Sequence, residues 1–299
     1  MTSTPIPVFI NPMAGRGRAG RTLDDLRELL NRQGVDHSIV QSNAVGDLEE
    51  GILAAAAAGT DRIIIAGGDG SIHEAVNGIM RSGRNVALGV IPIGTGNDFA
   101  KACGIPLHWE DAATLLADRL RGKVQPRAID VGRMNERYFA NGAGVGFDAK
   151  VTRIARSNRL PIGDLVYLIA VFQALWDGVI TPRMTIHCNG KTKEGPMTLA
   201  NVSNGAWVGG MFHIAPEARI DDGELDLVIA DPVSRLRILR LLPHLIGGTH
   251  IGQAEISHQR MRECRIECKS PLPSHLDGEV QPLQTQFDIA ILPGALRLM

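Results

Sequence analysis

The fold of this chain is decided by residues 63–79, which read IIIAGGDGSIHEAVNGI. The run begins as an apolar, β-branched segment of the kind that forms a buried parallel strand. It breaks at three glycines placed around Asp69, and it resumes with apolar residues at the spacing of one helix face. A glycine turn between a strand and a helix lets a phosphate approach backbone N–H groups, because no Cβ blocks the way. The stretch therefore predicts an α/β fold with a phosphate site, or a tight turn in which Asp69 caps the helix.

Length and composition restrict the class of protein. With 299 residues, the chain is long enough for two domains that each bury a core. Its 31 basic and 32 acidic residues nearly balance and only 4% of it is aromatic, which argues against a nucleic-acid surface. The cysteine spacing matches no zinc or redox motif, which indicates a reduced, cytoplasmic protein. The longest uncharged apolar run, 165–176, spans about 18 Å as a helix, short of a bilayer core of about 30 Å, so we predict no transmembrane segment.

Two further glycine turns follow predicted strands in the first part of the chain. Residues 11–20 (NPMAGRGRAG) follow a strand at 7–10, and residues 93–99 (IGTGNDF) follow a strand at 86–92. The first turn has P-loop spacing, but Arg21 stands where that motif has lysine, which disfavours a true P-loop. Strands and helices alternate, which predicts a parallel sheet with helices on both faces. Because ligands bind at the carboxyl ends of such strands, we expect the three turns to converge there.

The pattern changes after residue 126. Short strands are predicted at 127–134, 138–143, 183–188, 197–203, 225–230, 262–268 and 286–292, with helices at 165–177 and 234–246. We therefore predict an α/β plus mostly β protein, with a parallel α/β nucleotide-binding domain at 1–126 and an antiparallel β-sandwich domain at 127–299. Acids stand beside glycines at 130–132, 221–224 and 277–279. Taken by itself, each such pair indicates a plain turn first, because Asp-Gly is the commonest hairpin signal.

Five motifs occur in order along the chain: Asn11-Pro12 and the segments 67–71 (GGDGS), 92–99 (PIGTGNDF), 129–132 (IDVG) and 276–279 (LDGE). Together they resemble the motifs of bacterial lipid kinases of the diacylglycerol kinase and sphingosine kinase family. The resemblance covers nearly the whole chain. It implies an ATP-binding domain of the NAD-kinase and diacylglycerol-kinase type, a β-sandwich lipid domain, and an active site in the cleft between them. It further implies ATP- and Mg²⁺-dependent transfer of the γ-phosphoryl group to the hydroxyl of diacylglycerol, phosphatidylglycerol or a related long-chain alcohol.

The resemblance also assigns roles to residues. As nucleotide contacts it implies the phosphate loop and two flanking positions, namely Ser42, Gly68, Asp69, Gly70, Ser71, Ile72, His73, Glu74 and Thr95. As the general base for the lipid hydroxyl it implies Asp277, and as acids around the catalytic Mg²⁺ it implies Glu279, Asp69 and Asp130. As a structural Mg²⁺ site it implies the backbone carbonyls of Arg219 and Glu224 with the side chain of Asp222. Arg159 falls where the family can have a phosphate-facing lysine.

Two residues depart from the family pattern. Ser71 replaces the usual threonine and keeps the hydroxyl. His73 replaces a common asparagine, and we interpret it as a residue of the polar helix face rather than a nucleotide contact.

The lipid side of the protein leaves more alternatives. Residues 166–172 and 175–176 predict either an acyl-chain pocket or ordinary core. The basic segment 235–242 predicts either a helix on an anionic membrane surface or an amphipathic helix packed on the sheet. A lipid substrate implies peripheral contact with the inner face of the membrane. The sequence leaves the oligomeric state open, a homodimer included.

Three other functions are compatible with parts of the pattern. NAD kinase and 6-phosphofructokinase also use a Gly-Gly-Asp-Gly turn, but neither accounts for the motif at 277–279. The third is a non-catalytic lipid-binding protein on the same fold. Such a protein is expected to have lost its acids, whereas Asp69, Asp130, Asp277 and Glu279 are all present.

Overall fold

The computed structural model describes residues 5–158, 163 and 165–299. These residues form two compact units, one made of those up to Ile129 together with Gly294–Met299, the other of those within Asp130–Pro293. The sequence-based division at residue 126, and the cleft expected between the domains, stay predictions. Arg159 lies outside the described residues.

The first unit is a parallel sheet with helices. Its strands are β1 (Ile6–Ile10), β2 (His37–Gln41), β3 (Arg62–Gly67) and β4 (Ala87–Pro92). Its helices are α1 (Ala14–Arg21), α2 (Leu23–Arg32), α3 (Asp47–Ala57), α4 (Asp69–Ser82), α5 (Asp98–Ala102) and α6 (Trp109–Arg121). The C-terminal end of the last strand, β14 (Glu279–Leu298), completes a sheet of order β14-β4-β3-β1-β2 in which every pairing is parallel. The predicted α/β architecture is confirmed.

Burial explains why the central strands read as continuous apolar runs. All of β4 is buried, and so is all of β3 except Arg62. Ile64 and Ile91 pack with Leu26 of α2 and Leu116 of α6 in one core cluster. Strands covered by helices on both faces cannot alternate apolar and polar residues, because each face needs apolar side chains.

The first glycine turn, expected at residues 11–20, is partly helical, because residues 14–21 form α1. This helix is irregular: Gly15, Arg16 and Gly17 have φ of 58°, 60° and 79°, in the left-handed region that glycine tolerates best. A Cβ on Gly15 would lie 2.2 Å from the carbonyl oxygen of Ile93, so this position requires glycine. The glycines thus bring the segment against the turn that follows β4.

The second unit is antiparallel. Its strands are β5 (Arg127–Met134), which begins in the first unit, β6 (Arg137–Phe139), β7 (Gly142–Gly146), β8 (Arg183–Cys188), β9 (Lys191–Pro196), β10 (Leu199–Ser203), β11 (Leu225–Ala230), β12 (Ile256–Met261), β13 (Glu263–Leu276) and most of β14. Its helices are α7 (Phe147–Ser157), α8 (Leu165–Asp177) and α9 (Arg235–Ile246). The strands pair in the order β12-β11-β10-β7-β13-β14, and β8 and β9 extend from β13. The predicted antiparallel β domain is confirmed.

Some elements of this unit differ from the sequence prediction. The single strand expected at 138–143 is two strands, β6 and β7, with a break at Ala140 and Asn141. The N–H groups of both residues bind a side-chain carboxylate instead of a strand partner. The sequence analysis missed β9 and β12 because both are mostly polar, and it missed α7 altogether. Among the helices of the described residues, none has the length and apolarity needed to cross a bilayer.

Candidate active site

The three glycine turns of the first unit meet at one end of its sheet. A Cβ on Gly68 would lie 2.9 Å from Gly94 Cα, and one on Gly94 would lie 2.4 Å from Gly68 Cα, so the second and third turns touch backbone to backbone. Arg18, from the first turn, donates from Nη2 to the carbonyl oxygens of Ile93 (3.0 Å) and Gly94 (2.6 Å). The turns therefore converge as the parallel sheet predicts.

Asp69 begins α4 and ties its turn to the next one. Its Oδ1 accepts a hydrogen bond of 3.1 Å from the N–H of Phe99 in α5. Gly68 and Gly70 flank it, so the first N–H groups of α4 are not screened by side chains. These N–H groups and the helix dipole suit a phosphate, and the Asp69 carboxylate beside them is the hard oxygen ligand that Mg²⁺ prefers.

The remaining positions implied for the nucleotide are spread around this cradle. Thr95 is exposed in the third turn. Ser42 follows β2, and its N–H donates to the carbonyl oxygen of Ile10 (3.0 Å) at the same end of the sheet. Ser71 and Ile72 are buried in α4. A ligand at the cradle can therefore meet Ile72 only through its backbone.

Two residues of the implied phosphate loop have partners within the protein. Glu74 accepts at Oε2 from the N–H groups of Gly46 and Leu48 (both 3.1 Å) and so caps the start of α3. His73 is only 3% exposed, and its Nε2 lies 3.4 Å from Asn77 Nδ2, one helical turn on. The interpretation of His73 as a polar-face residue is therefore wrong: α4 is buried on the side that carries it.

In the second unit, Asp277 lies in the turn between β13 and β14 with φ of 51°. Its carboxylate accepts three backbone hydrogen bonds, from Ala140 to Oδ2 (3.0 Å) and from Asn141 (2.8 Å) and Gly142 (3.0 Å) to Oδ1. Its own N–H donates to the carbonyl oxygen of Gly142 (2.8 Å). These bonds hold the left-handed backbone in place and fix the orientation of the carboxylate. Positive φ at Asp277 and Gly278 is the ordinary geometry of a two-residue hairpin turn, so the distinctive feature here is the set of N–H groups around the carboxylate.

Asn204 is a site residue that the sequence analysis missed. It is fully buried, and its Nδ2 donates to the carbonyl oxygens of Asp130 (3.0 Å) and Ala140 (2.7 Å). Its N–H donates to the carbonyl oxygen of Asn141 (2.8 Å). Asn204 therefore joins the strand that carries Asp130 to the segment that binds the Asp277 carboxylate. The available signal was an Asn-Gly pair directly after an apolar strand, which reads equally as an ordinary turn.

The two other implied acids of this unit have different surroundings. Glu279 follows the Asp277 turn directly and forms an ion pair with Arg156 of α7. Asp130 is buried and accepts at Oδ2 from the N–H of Gly223 (2.7 Å). The structure thus brings Asp130 against the turn at 219–224, where the structural metal site is implied.

That turn already has a cation of its own. Asp222 forms an ion pair with Arg260, and Glu224 Oε2 lies 3.0 Å from Arg260 Nη2. Asp222 Oδ1 also accepts from the N–H of Glu224 (3.1 Å). A Mg²⁺ ion held by the Asp222 side chain with the carbonyls of Arg219 and Glu224 would therefore share Asp222 with the Arg260 guanidinium or compete with it. Across the described ranges, no three or more His, Cys, Asp or Glu side chains gather closely enough to hold a metal.

An apolar cavity of about 120 Å³ lies inside the second unit. Its lining comes mainly from α7, α8, α9, β10 and β11, with Phe147, Val171 and Leu241 among the apolar side chains. His250 also lines it, and burial lowers the pKa of this imidazole. The sequence left two alternatives for residues 166–172, an acyl-chain pocket or ordinary core. In the structure, Tyr167 and Val171 of this segment line the cavity.

The cavity lies beside the turn that carries Asp277. Asp148, which lines the cavity, has its Oδ2 3.6 Å from His275 Nε2, and His275 Nδ1 accepts from the N–H of Gly278 (3.4 Å). Tyr167 of α8 also lines the cavity, and its hydroxyl oxygen would lie 3.4 Å from a Cβ on Gly278. The apolar cavity and the turn that carries Asp277 are therefore neighbours within this unit.

Comparison with known proteins gives the class to which this architecture belongs. The sequence profile of the diacylglycerol kinase catalytic domain matches residues 5–134, and that of the YegS C-terminal NAD kinase beta sandwich-like domain matches residues 142–299. The diacylglycerol kinase of Mycobacterium tuberculosis is 31% identical over 98% of this chain and 94% of its own length. That of Bacillus subtilis is 31% identical over 91% and 88%. A "Probable lipid kinase YegS-like" of Xanthomonas oryzae is 32% identical over 93% of each chain.

Solved structures agree on the fold. A crystal structure of a diacylglycerol kinase from Bacillus anthracis superposes with a TM-score of 0.75 at 23% identity, covering 100% of this chain and 97% of that one. The chain therefore belongs to the diacylglycerol kinase family of lipid kinases, which are phosphotransferases with an alcohol group as acceptor. The family resemblance read from the five motifs is confirmed.

Proposed function

We propose that this protein is an ATP- and Mg²⁺-dependent lipid kinase that transfers the γ-phosphoryl group to the hydroxyl of diacylglycerol, phosphatidylglycerol or a related long-chain alcohol. The observation that carries the proposal is the apolar cavity beside the Asp277 turn. A lipid whose chain enters an apolar space can present its hydroxyl to a neighbouring carboxylate. NAD and sugar phosphates are water-soluble acceptors that need no apolar cavity to bind.

The nucleotide half of the proposal rests on the glycine turns of the first unit. The N–H groups at the start of α4 would bind phosphate oxygens, with Gly68 and Gly70 leaving room for their approach. Arg18 of the first turn binds the third turn and so fixes the segment that carries Thr95. Ser42 and the backbone of residues 70–74 would complete the nucleotide contacts. Positioning of this kind supplies much of the catalysis of phosphoryl transfer, which asks little covalent chemistry of the protein.

Asp277 is the proposed general base. A lipid alcohol is a poor nucleophile until its proton is taken, and a carboxylate held in one orientation suits that task. The three N–H groups from residues 140–142 supply the orientation. On the other side of the turn, the ion pair with Arg156 fixes the side chain of Glu279.

The catalytic Mg²⁺ would be held by Asp69, with Asp130 and Glu279 acting partly through water. When bound with ATP, the ion neutralises charge on the phosphates that are being transferred and released. Asp69 fits this role, since it is an oxygen ligand directly at the phosphate cradle. The structural Mg²⁺ at Arg219, Asp222 and Glu224 stays a prediction, with Arg260 as the competitor of the ion.

The substrate also implies where the protein works. A long-chain lipid stays in the bilayer, so we propose that the protein is cytoplasmic and makes peripheral contact with the inner face of the membrane.

The direct test is turnover with ATP, Mg²⁺ and a panel of lipid alcohols, with NAD and a sugar phosphate as competing acceptors. We expect phosphate to enter a lipid, and we expect Asp277→Asn to lower kcat by about 10²–10⁴-fold while ATP binding stays near normal. A loss of less than about tenfold would make the base assignment wrong. Transfer to NAD or to the sugar phosphate, with none to lipid, would overturn the proposal as a whole.

A further inference from the structure

The outer face of α8 is apolar although it is exposed. Leu165, Phe172 and Trp176 are exposed, and their spacing of seven and four residues puts them within an arc of about 40° on the helix. The helix carries no charged residue before Asp177. A surface helix of a water-soluble protein normally turns charged or polar residues to this side.

The degree of exposure is high for aromatic side chains. Trp176 is 86% exposed and Phe172 is 51% exposed. Tryptophan is highly buried on average, and clustered exposed apolar residues mark interaction sites in soluble proteins. The opposite face of α8 packs Val166, Ala170 and Ala174 into the core of the unit, so the helix is anchored and its outer stripe is presented to the outside.

One cationic residue, Arg235, lies beside the C-terminal end of α8. The N-terminal end of α9 meets the C-terminal end of α8, because a Cβ on Gly178 would lie 3.5 Å from Arg235 Nη2. Arg235 and Arg240 are exposed on α9, together with Leu236, which is 69% exposed. The whole of α9 contains no acid, and within the described part of the chain no ion pair engages Arg235 or Arg240.

We propose that the outer stripe of α8, with Arg235, Leu236 and Arg240 of α9, is the surface through which this protein docks on an anionic lipid bilayer. Tryptophan prefers the interface between water and lipid, where its ring is half apolar and half polar. Arginines gain from the negative potential of anionic lipids at the same depth. The combination of aromatic and basic residues therefore fits a bilayer surface.

A second copy of the chain fits this surface less well. A stable dimer buries about 800 Å² on each partner, whereas aromatic side chains bury about 150–250 Å² each when fully covered. Two aromatic residues and two leucines alone do not reach that area. A bilayer needs only a few inserted side chains.

The position of this surface agrees with the proposed function. The docking inference rests on that function only in taking the substrate to be a lipid. The same two helices line the apolar cavity from inside, α8 through Tyr167 and Val171 and α9 through Ile238 and Leu241. Docking on this face would bring the cavity to the bilayer that holds the substrate.

The test measures sedimentation of the full chain with vesicles of phosphatidylcholine alone or mixed with phosphatidylglycerol, without ATP, so that kinase activity plays no part. The variants are Phe172→Ser with Trp176→Ser, Arg235→Gln with Arg240→Gln, and as a matched control Leu283→Ser, whose side chain is 61% exposed on β14 of the same unit. Equal melting temperatures confirm that each variant is folded. Blue-shifted emission of Trp176 on adding vesicles gives a second readout, since Trp207 is stacked on His213 and Trp109 is partly buried.

We expect the wild type and the control to bind the mixed vesicles. For the aromatic variant we expect a partition constant at least about tenfold lower than that of the wild type. For the arginine variant we expect a loss of about fivefold for each charge removed, because one basic residue near an anionic surface contributes that much. Binding of the aromatic variant at the wild-type level would overturn the proposal, as would a wild type that binds no vesicles. A wild-type dimer that the aromatic variant abolishes would assign the surface to a second copy instead. Failure of the kinase assay with intact vesicle binding would count against the proposed function alone.

Discussion

Replacing Gly94 by alanine tests the phosphate cradle of the first unit. The added Cβ would lie 2.4 Å from Gly68 Cα and 2.6 Å from Asn97 Oδ1. The first of these neighbours is backbone, which cannot rotate aside as the end of a side chain can, so the second and third glycine turns must separate. Overpacking of this kind typically costs about 1–3 kcal/mol, which corresponds to a melting temperature lower by several degrees.

The effect on the nucleotide should exceed the effect on stability. Separating the two turns moves Thr95 and the start of α4 apart, and a misplacement of about 1 Å can cost about 10²-fold in activity. We therefore expect ATP affinity, measured by calorimetry, to fall at least about tenfold in a folded Gly94→Ala protein, and kcat/KM for ATP to fall further.

The matched control is Gly247→Ala at the end of α9. Its φ is −83°, and its Cβ would meet only the carbonyl oxygen of Pro243 at an ordinary 3.4 Å. This variant should keep wild-type stability and ATP affinity. Wild-type ATP affinity in Gly94→Ala would refute the cradle, because it would show that close packing of the two turns is not needed to bind the nucleotide.

Three further predictions concern the second unit. Asn204→Ala removes the amide that braces the segment binding Asp277, so kcat per folded molecule should fall by about 10²-fold with KM for ATP unchanged. The folded fraction is measured by circular dichroism, and a wild-type kcat per folded molecule would contradict the prediction. Arg260→Gln leaves Asp222 without its cation. We therefore expect Mg²⁺ to raise the melting temperature of the variant and EDTA to lower it. If EDTA destabilises the wild type as much as the variant, the metal and not Arg260 holds the turn. Burial lowers the pKa of His250 in the folded protein. In the unfolded chain the imidazole takes up a proton at about pH 6.5, whereas the folded protein excludes this proton. Stability should therefore fall as the pH drops through that value. His250→Gln should flatten the dependence of melting temperature on pH between about pH 8 and pH 5, and an unchanged slope would assign the dependence to other groups.

Local sequence signals predicted much of the fold. The sequence analysis predicted β5, β8, β11 and α8 to the residue, because each is an apolar pattern bounded by polar turns. It predicted β14 only at 286–292, whereas the strand spans Glu279–Leu298 and its end pairs with β4 of the first unit. The pairing of Arg297 and Leu298 with β4, far away in the chain, leaves no local pattern to read. The start of β14 pairs with β13 in a hairpin, and its polar residues hid it.

The candidate site was predictable where the backbone demands a residue type. The glycine turns could be read because Gly68 and Gly94 allow no Cβ. The surroundings of Asp277 could not be predicted from the sequence. Its partners are backbone N–H groups, which every residue except proline carries. Glu74 shows the opposite case: it falls within the family's phosphate loop, yet its carboxylate caps a neighbouring helix, and sequence position cannot distinguish the two roles.

The reaction proposed for this protein passes phosphate from ATP to a lipid hydroxyl. The most direct measurement is incubation of the protein with γ-labelled ATP, Mg²⁺ and a total lipid extract, followed by identification of the labelled product. We expect the label in a phosphorylated lipid alcohol, and we expect it to disappear with Asp277→Asn. Label found only in a water-soluble acceptor, or lipid labelling that survives Asp277→Asn undiminished, would contradict the account.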